Sequence, residues 1–175
     1  MSTRFALVLT SLVTGMAAFS PFALAAPAKP IGIVSLYPNQ TNEVLAFQWE
    51  ENLDIEGSSS GGGTAKVAFS TFKIFKALDA LSPQIFLDAA RGKRFPRIHI
   101  DLLTPGPKGT VSISYQLEDV AMVGDGLTTL TDSPTPVEVV SLRVFARIIV
   151  VSTDASGTTT ACWDVALNRS CSRSE

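Results

Sequence analysis

Residues 111–118 read VSISYQLE, and apolar and polar side chains alternate along this stretch without a break. Successive side chains of a strand point to opposite faces, so the apolar members share one face. These members are Val111, Ile113, Tyr115 and Leu117. Such alternation is typical of an antiparallel strand with one face on the core. The stretch therefore predicts an antiparallel sheet with one buried face.

The same period recurs on both sides of this stretch. Strands are predicted at residues 45–49, 53–55, 67–74, 97–102 and 140–150. Between two of them, Ser82 is expected to cap a helix, with Pro83 at its first position and Gly92 at its end. The apolar face of this helix is expected to hold Ile85, Phe86, Ala89 and Ala90. This order predicts a mainly β fold: a small antiparallel β-barrel of two sheets with one short α-helix.

The first 25 residues have the composition of a secretory signal. Arg4 is their only charged side chain, an apolar run covers residues 5–19, and cleavage is expected between Ala25 and Ala26. The run is shorter than the roughly 20 residues of a membrane span. We therefore expect residues 1–25 to be a signal peptide and 26–175 a single domain. The mature chain is expected to be periplasmic or extracellular, with no membrane partner.

The overall charge limits the classes of partner. The 175 residues carry a formal charge of −2, and 17% of them are charged. A nucleic-acid binder of ordinary type shows a basic footprint, so no nucleic-acid partner is expected.

Cys162 and Cys171 are a candidate disulfide, because export makes them eligible for oxidation. A bridge over so short a loop contributes roughly 2–3 kcal/mol. It requires Cα atoms within about 7 Å, so the chain has to turn back after Leu167, at residues 168–170. Pairing between subunits and free thiols remain the alternatives.

Catalytic chemistry has little support in the sequence. His99, with Asp101 on the same strand face, has the residue types of a general base and its partner. The alternative is a solvated strand face, because no nucleophile accompanies the pair. Metal sites need several ligands at suitable spacing, and one histidine with two distant cysteines does not supply them. We expect a non-enzymatic protein without metal or cofactor.

Four cations surround Phe95: Arg91, Lys93, Arg94 and Arg97. They fit an anion-binding patch or a solvated group that favours the helix C-terminus. In a third hypothesis they are subunit-interface charges that pair with acids of the next subunit in a ring. These acids would be Glu50, Glu51, Asp54 and Glu56.

Residues 66–102 read KVAFSTFKIFKALDALSPQIFLDAARGKRFPRIHIDL and follow a glycine-rich stretch at 57–63. This order, with a Ser-Pro-capped helix that ends in Ala-x-x-Gly, resembles the Hcp family, the haemolysin-coregulated tube proteins of type VI secretion. Residues 43–49, 111–120 and 138–146 resemble the flanking strands of that family, and Trp163 fits its last strand. The resemblance covers residues 33–167.

The resemblance implies a small β-barrel of two sheets with one helix. It implies homo-oligomeric, hexameric rings that stack into a tube, with other type VI secretion components or effectors as partners. Tube subunits of the family carry no cleaved signal, whereas this chain is predicted to have one. The alternative is therefore a stand-alone periplasmic or secreted binding module on the same scaffold.

Overall fold

The computed structural model describes residues 28–55, 65–107, 109–131 and 133–172. Across these residues the backbone forms eleven strands and one helix, which confirms the predicted mainly β fold. The strands are β1 Gly32–Tyr37, β2 Gln40–Val44, β3 Ala46–Gln48, β4 Glu51–Ile55, β5 Ala65–Phe69, β6 Phe72–Ala77, β7 Arg94–Gly106, β8 Gly109–Leu130, β9 Ser133–Asp154, β10 Gly157–Asp164 and β11 Arg169–Ser170. The helix, α1, covers Ser82–Ala90. The predicted signal segment, its cleavage site at Ala25 and Ala26, and the glycine-rich stretch lie outside the described residues.

Nine of these strands form one antiparallel sheet in the order β11-β10-β9-β8-β7-β1-β2, with β6 beside β9 and β3 beside β6. A separate hairpin, β4-β5, forms the second sheet. The main sheet wraps around one core, since β1, β2, β6, β7, β8 and β9 all contribute to it. Within the described residues hydrogen bonds do not close this barrel: β2 is joined to β3 by the chain itself, through Leu45.

The core follows the alternation of the strands. Fully buried side chains come from alternate positions, which are Ile98 and Ile100 in β7, Ile74 and Phe72 in β6, and Val140 and Leu142 in β9. The hydrophobic effect drives this arrangement because each buried aliphatic or aromatic side chain stabilises by about 1.5–3 kcal/mol.

β9 is long enough to pair with two different strands along one edge. Its first half pairs with β6 through Val137–Leu142, and its second half pairs with β10 through Arg147–Asp154. Its other edge pairs with β8 over nearly the whole length. The β8 ladder shifts register between Glu118 and Val120, where Asp119 takes a φ of 51°.

The helix differs from its prediction in two details. It begins at Ser82, with Leu81 at the cap position, and Pro83 lies in its first turn. Gly92 ends it as predicted, with a φ of 61° that a residue without Cβ adopts freely. The predicted apolar face is wrong at Phe86, which is 61% exposed, and at Ala90, which is also exposed, while Ile85 and the acid Asp88 are buried.

The strand predicted at residues 67–74 is two strands in two different sheets. The break falls at Ser70, whose N–H donates to Glu50 O at 2.9 Å and whose Oγ accepts from Glu50 N at 2.7 Å. These bonds end β5 and redirect the chain into β6, and the apolar positions shift by one residue across the break, from Val67 and Phe69 to Phe72 and Ile74.

Candidate functional site

The four cations predicted as an interface do not form one unpaired patch. Lys93 Nζ lies 2.9 Å from Asp88 Oδ2 and 4.8 Å from the ring centre of Tyr37. Arg94 donates to both carboxylate oxygens of Asp119, at 3.0 and 2.6 Å.

The other two cations, Arg91 and Arg97, flank Lys93 and Arg94 in the sequence. Arg97 donates to Glu118 Oε1 at 3.0 Å, and Arg91 is exposed just after α1. Three of the four are thus engaged by acids of their own chain among the described residues, which reduces their charge available to a neighbour.

His99 and Asp101 lie on β7 as predicted. His99 is exposed and lies opposite Ser35 of β1 and Gln116 of β8. Asp101 Oδ1 accepts a hydrogen bond from Ser114 Oγ at 2.5 Å. In the part of the chain that the structure describes, no three His, Cys, Asp or Glu side chains are grouped to hold a metal ion.

A buried polar cluster, missed in the sequence, joins the start of α1 to the barrel. Lys76 Nζ lies 2.7 Å from Glu138 Oε2, and the two side chains are 1% and 2% exposed. Asp79 Oδ2 lies 3.1 Å from the same Nζ. Ser82 Oγ donates to Glu138 Oε2 at 3.0 Å, and Asn42 Nδ2 donates to Asp79 Oδ2 at 2.9 Å.

The sequence does contain a signal for the two buried charges. Lys76 and Glu138 are direct partners in the β6-β9 register, so period-two spacing from Phe72 and Val140 is the signal that places both on the inner face.

A second cluster fixes the end of α1. The buried carboxylate of Asp88 accepts from Tyr37 Oη at 2.8 Å, Gln84 Nε2 at 2.8 Å and Lys93 Nζ at 2.9 Å. Burial by itself raises the pKa of Asp88, but these hydrogen bonds outweigh it and hold that pKa below its ordinary value. Burial, and then the bond to Asp88, raise the pKa of Tyr37 far above its ordinary value.

The cysteine pair closes the last hairpin. Asn168 takes a φ of 52° and turns the chain so that β11 pairs back on Trp163 and Asp164. Cys162 and Cys171 are joined in a disulfide, with Cα atoms 5.0 Å apart. The chain turns at residues 165–168, immediately before β11, which is three residues earlier than the predicted turn at 168–170, because β10 already ends at Asp164.

Part of β8 has an unpaired edge and exposed apolar side chains. Its pairing with β7 ends at Ala121, and the described residues beyond Met122 pair only with β9. Val123 is 46% and Leu127 66% exposed. An exposed strand edge is a template for pairing with another chain, so this segment, residues 123–130, is the candidate contact surface of the fold.

The comparisons with known proteins point to one family. Residues 38–150 match the family described as "Type VI secretion system effector, Hcp". No curated protein matches the chain. Among the described residues, no helix has both the length and the apolar character needed to cross a membrane.

Solved structures show the same fold. Hcp1 from Salmonella typhimurium is 20% identical, with a TM-score of 0.61 over 82% of this chain and 100% of that one. The secreted protein Hcp3 from Pseudomonas aeruginosa is also 20% identical, with a TM-score of 0.52 over 73% of this chain and 78% of that one. A type VI secretion system effector from Yersinia pestis is 19% identical, with a TM-score of 0.51 over 77% and 94%.

Proposed function

The chain belongs to the Hcp family of type VI secretion proteins, and we propose that it is a non-enzymatic structural subunit that assembles with copies of itself into a ring. We further propose that its N-terminal signal segment exports it, with cleavage between Ala25 and Ala26, to the periplasm or the medium. The family match over residues 38–150 is the observation that carries this proposal.

The surface of the fold supports self-association. The edge of β8 at residues 123–130 offers backbone groups to a second strand, and Leu127 adds an exposed apolar side chain beside it. Phe86 and Leu87 of α1 add further exposed apolar area, at 61% and 42%. Apolar surface that stays exposed in a subunit is typical of a contact between proteins, and contacts that repeat around a rotation axis close into a ring.

The non-enzymatic role is supported by the way the polar groups are used. The carboxylates of Asp88, Glu118 and Glu138 are taken up by hydrogen bonds and ion pairs that hold strands and helix together. Asp101, the neighbour of the single histidine, is engaged by Ser114. These groups stabilise the fold, and the serine hydroxyls beside them, those of Ser82 and Ser114, donate to Glu138 and Asp101.

Native and intact mass spectrometry of the protein recovered from the periplasm and medium tests the proposal. We expect a chain that begins at Ala26, two hydrogens lighter than the reduced mass because Cys162 and Cys171 are joined, in a closed ring. A monomer with a processed N-terminus would contradict the ring and favour the alternative, a stand-alone binding module. An unprocessed chain would contradict export.

Two matched substitutions locate the contact. Leu127→Glu places a charge on the β8 edge segment and is expected to convert rings to monomers. Leu103→Glu is the control, because Leu103 is similarly exposed, at 57%, but lies in the part of β7 that is paired with β8. Rings that survive Leu127→Glu but not Leu103→Glu would place the contact elsewhere.

A further inference from the structure

A cleft of about 510 Å³ lies between the β4-β5 hairpin and strands β9 and β10 of the main sheet. This volume is in the range of small-molecule sites. Its walls are formed by Trp49, Glu51, Val67, Phe69, Ile148, Val150, Ala161, Cys162 and Trp163.

The register explains why these side chains face the same space. Glu51 is paired directly with Phe69 across the β4-β5 hairpin, so the two share a face. On the opposite wall Trp163 is paired with Ile148, and Ala161 with Val150. Trp49 stacks on Phe69, with ring centres 6.1 Å apart and planes 19° apart.

Two links hold the walls together. The N–H of Val67, in the hairpin wall, donates to Asn168 Oδ1 at 3.0 Å, in the turn that follows β10. The disulfide from Cys162 to Cys171 closes that same turn, and Cys171 N donates to Cys162 O at 3.1 Å. Trp163 is thus carried by a cross-linked hairpin. A wall that is fixed before binding loses less entropy when a ligand enters.

The chemistry of the lining selects one class of ligand. Three aromatic rings, those of Trp49, Phe69 and Trp163, line the cleft, and Glu51 is the only charged residue among its nine lining residues. Aromatic faces attract cations through the ring quadrupole, and a carboxylate attracts them directly. A neutral apolar ligand gains nothing from Glu51, and an anion is repelled by it.

We propose that this cleft binds a free small organic cation with an apolar body, held against the aromatic side chains of the cleft with its charge toward Glu51. The proposal does not depend on ring assembly, because every residue it uses belongs to one subunit.

Tryptophan fluorescence of the purified protein tests the proposal directly. The sequence has two tryptophans, and they are the two that line the cleft, so the whole signal comes from this site. Benzyltrimethylammonium chloride is the probe, and benzyl alcohol and sodium phenylacetate are the matched neutral and anionic ligands, at constant ionic strength. We expect a saturable change with the cation and binding at least about fivefold weaker with the other two.

Two neighbouring glutamates supply a matched pair of variants. Glu51→Gln removes the charge at the cleft and is expected to weaken binding of the cation about fivefold. Glu50→Gln removes the same charge one residue earlier, at a side chain that does not line the cleft, and is expected to leave binding unchanged. Circular dichroism checks that both variants are folded.

Three results of these binding measurements would contradict the proposed cation site. Equal affinity for benzyl alcohol and benzyltrimethylammonium, or no saturable change with the cation, would overturn the proposal. So would an equal loss in the Glu50→Gln and Glu51→Gln variants, because the charge would then act through the overall field of the protein. The ligand series on the unmodified protein decides the matter even if the Glu51→Gln variant does not fold.

Discussion

Two ion pairs of nearly equal length stand in opposite surroundings in this fold. Lys76 Nζ and Glu138 Oε2 are 2.7 Å apart, with side chains 1% and 2% exposed. Arg94 Nη2 and Asp119 Oδ2 are 2.6 Å apart, with side chains 54% and 46% exposed. The two pairs have nearly the same distance between their charged atoms, but the first pair is buried and the second is exposed to solvent.

The difference teaches which charges hold the fold. The inner pair has given up its hydration and has hydrogen-bonding partners at both ends, Ala77 O for the lysine and Ser82 Oγ for the glutamate. Loss of one partner leaves a buried charge without compensation. The outer pair is solvated, so loss of one partner returns the other to water at little cost.

Glu138→Gln is expected to have the largest effect, a loss of about 3–5 kcal/mol in the free energy of unfolding. The amide keeps the size of the side chain but removes the buried carboxylate from the ammonium of Lys76, and the other carboxylate in contact with it, that of Asp79, is 40% exposed. Urea denaturation followed by circular dichroism measures the change.

Lys76→Met combined with Glu138→Leu is the companion variant. It removes both charges and is expected to be less destabilised than Glu138→Gln alone, since apolar replacements of a buried pair are often tolerated. The single variants Lys76→Met and Glu138→Leu complete the comparison. If the double variant loses as much unfolding free energy as these two single variants together, the pair is uncoupled, contrary to the contact in the structure.

Asp88→Asn is expected to cost about 2 kcal/mol, because three donors converge on this carboxylate and bonds to charged groups contribute about 1.5–3 kcal/mol each. The loss has a characteristic pH dependence. The pKa of Asp88 is lowered in the folded state, so its contribution is complete above the unfolded carboxyl pKa of about 3.9 and disappears as the pH falls through the lower folded value.

Urea midpoints measured from neutral pH down to below pH 4 test this sign. The unmodified protein should lose more stability than the Asp88→Asn variant as the solution becomes acidic. Parallel acid limbs would contradict the role of the carboxylate, whatever the difference at neutral pH.

The buried charges also mark where sequence reasoning stops. Alternation predicted residues 97–102 of β7 and 111–118 of β8 because each stretch rests one face on the core, but it missed the second half of β8, up to Leu130. The spacing of Ser82, Pro83 and Gly92 predicted α1 to within one residue. Lys76 and Asp88 were missed because a charged residue is ordinarily assigned to the solvent face. What turns them inward is a set of partners distant in sequence, since Glu138 lies 62 residues after Lys76 and Tyr37 lies 51 before Asp88.

The same limit applies to the candidate surfaces. The cations Arg91, Lys93, Arg94 and Arg97 are conspicuous in sequence because they are close together. The cleft is not, since Trp163 of β10 is distant in sequence from Trp49 and Glu51, and they meet only when the β4-β5 hairpin lies against β10. Register and hairpin docking, which no local pattern contains, decide that meeting.

Asp119→Asn is expected to have the smallest effect, a change of at most about 0.5 kcal/mol, because the ion pair with Arg94 is exposed. Substitutions at this position separate the effect of the charge on stability from the effect of the backbone conformation. Asp119 has a φ of 51°, and asparagine adopts such values readily while alanine is strained there by roughly 1 kcal/mol. Asp119→Ala should therefore cost more than Asp119→Asn, and Asp119→Gly, which lacks both charge and Cβ, should cost less than Asp119→Ala. If the asparagine variant loses as much as the alanine variant in urea denaturation, the charge matters more than exposure allows, and the contrast between the inner and outer pairs fails.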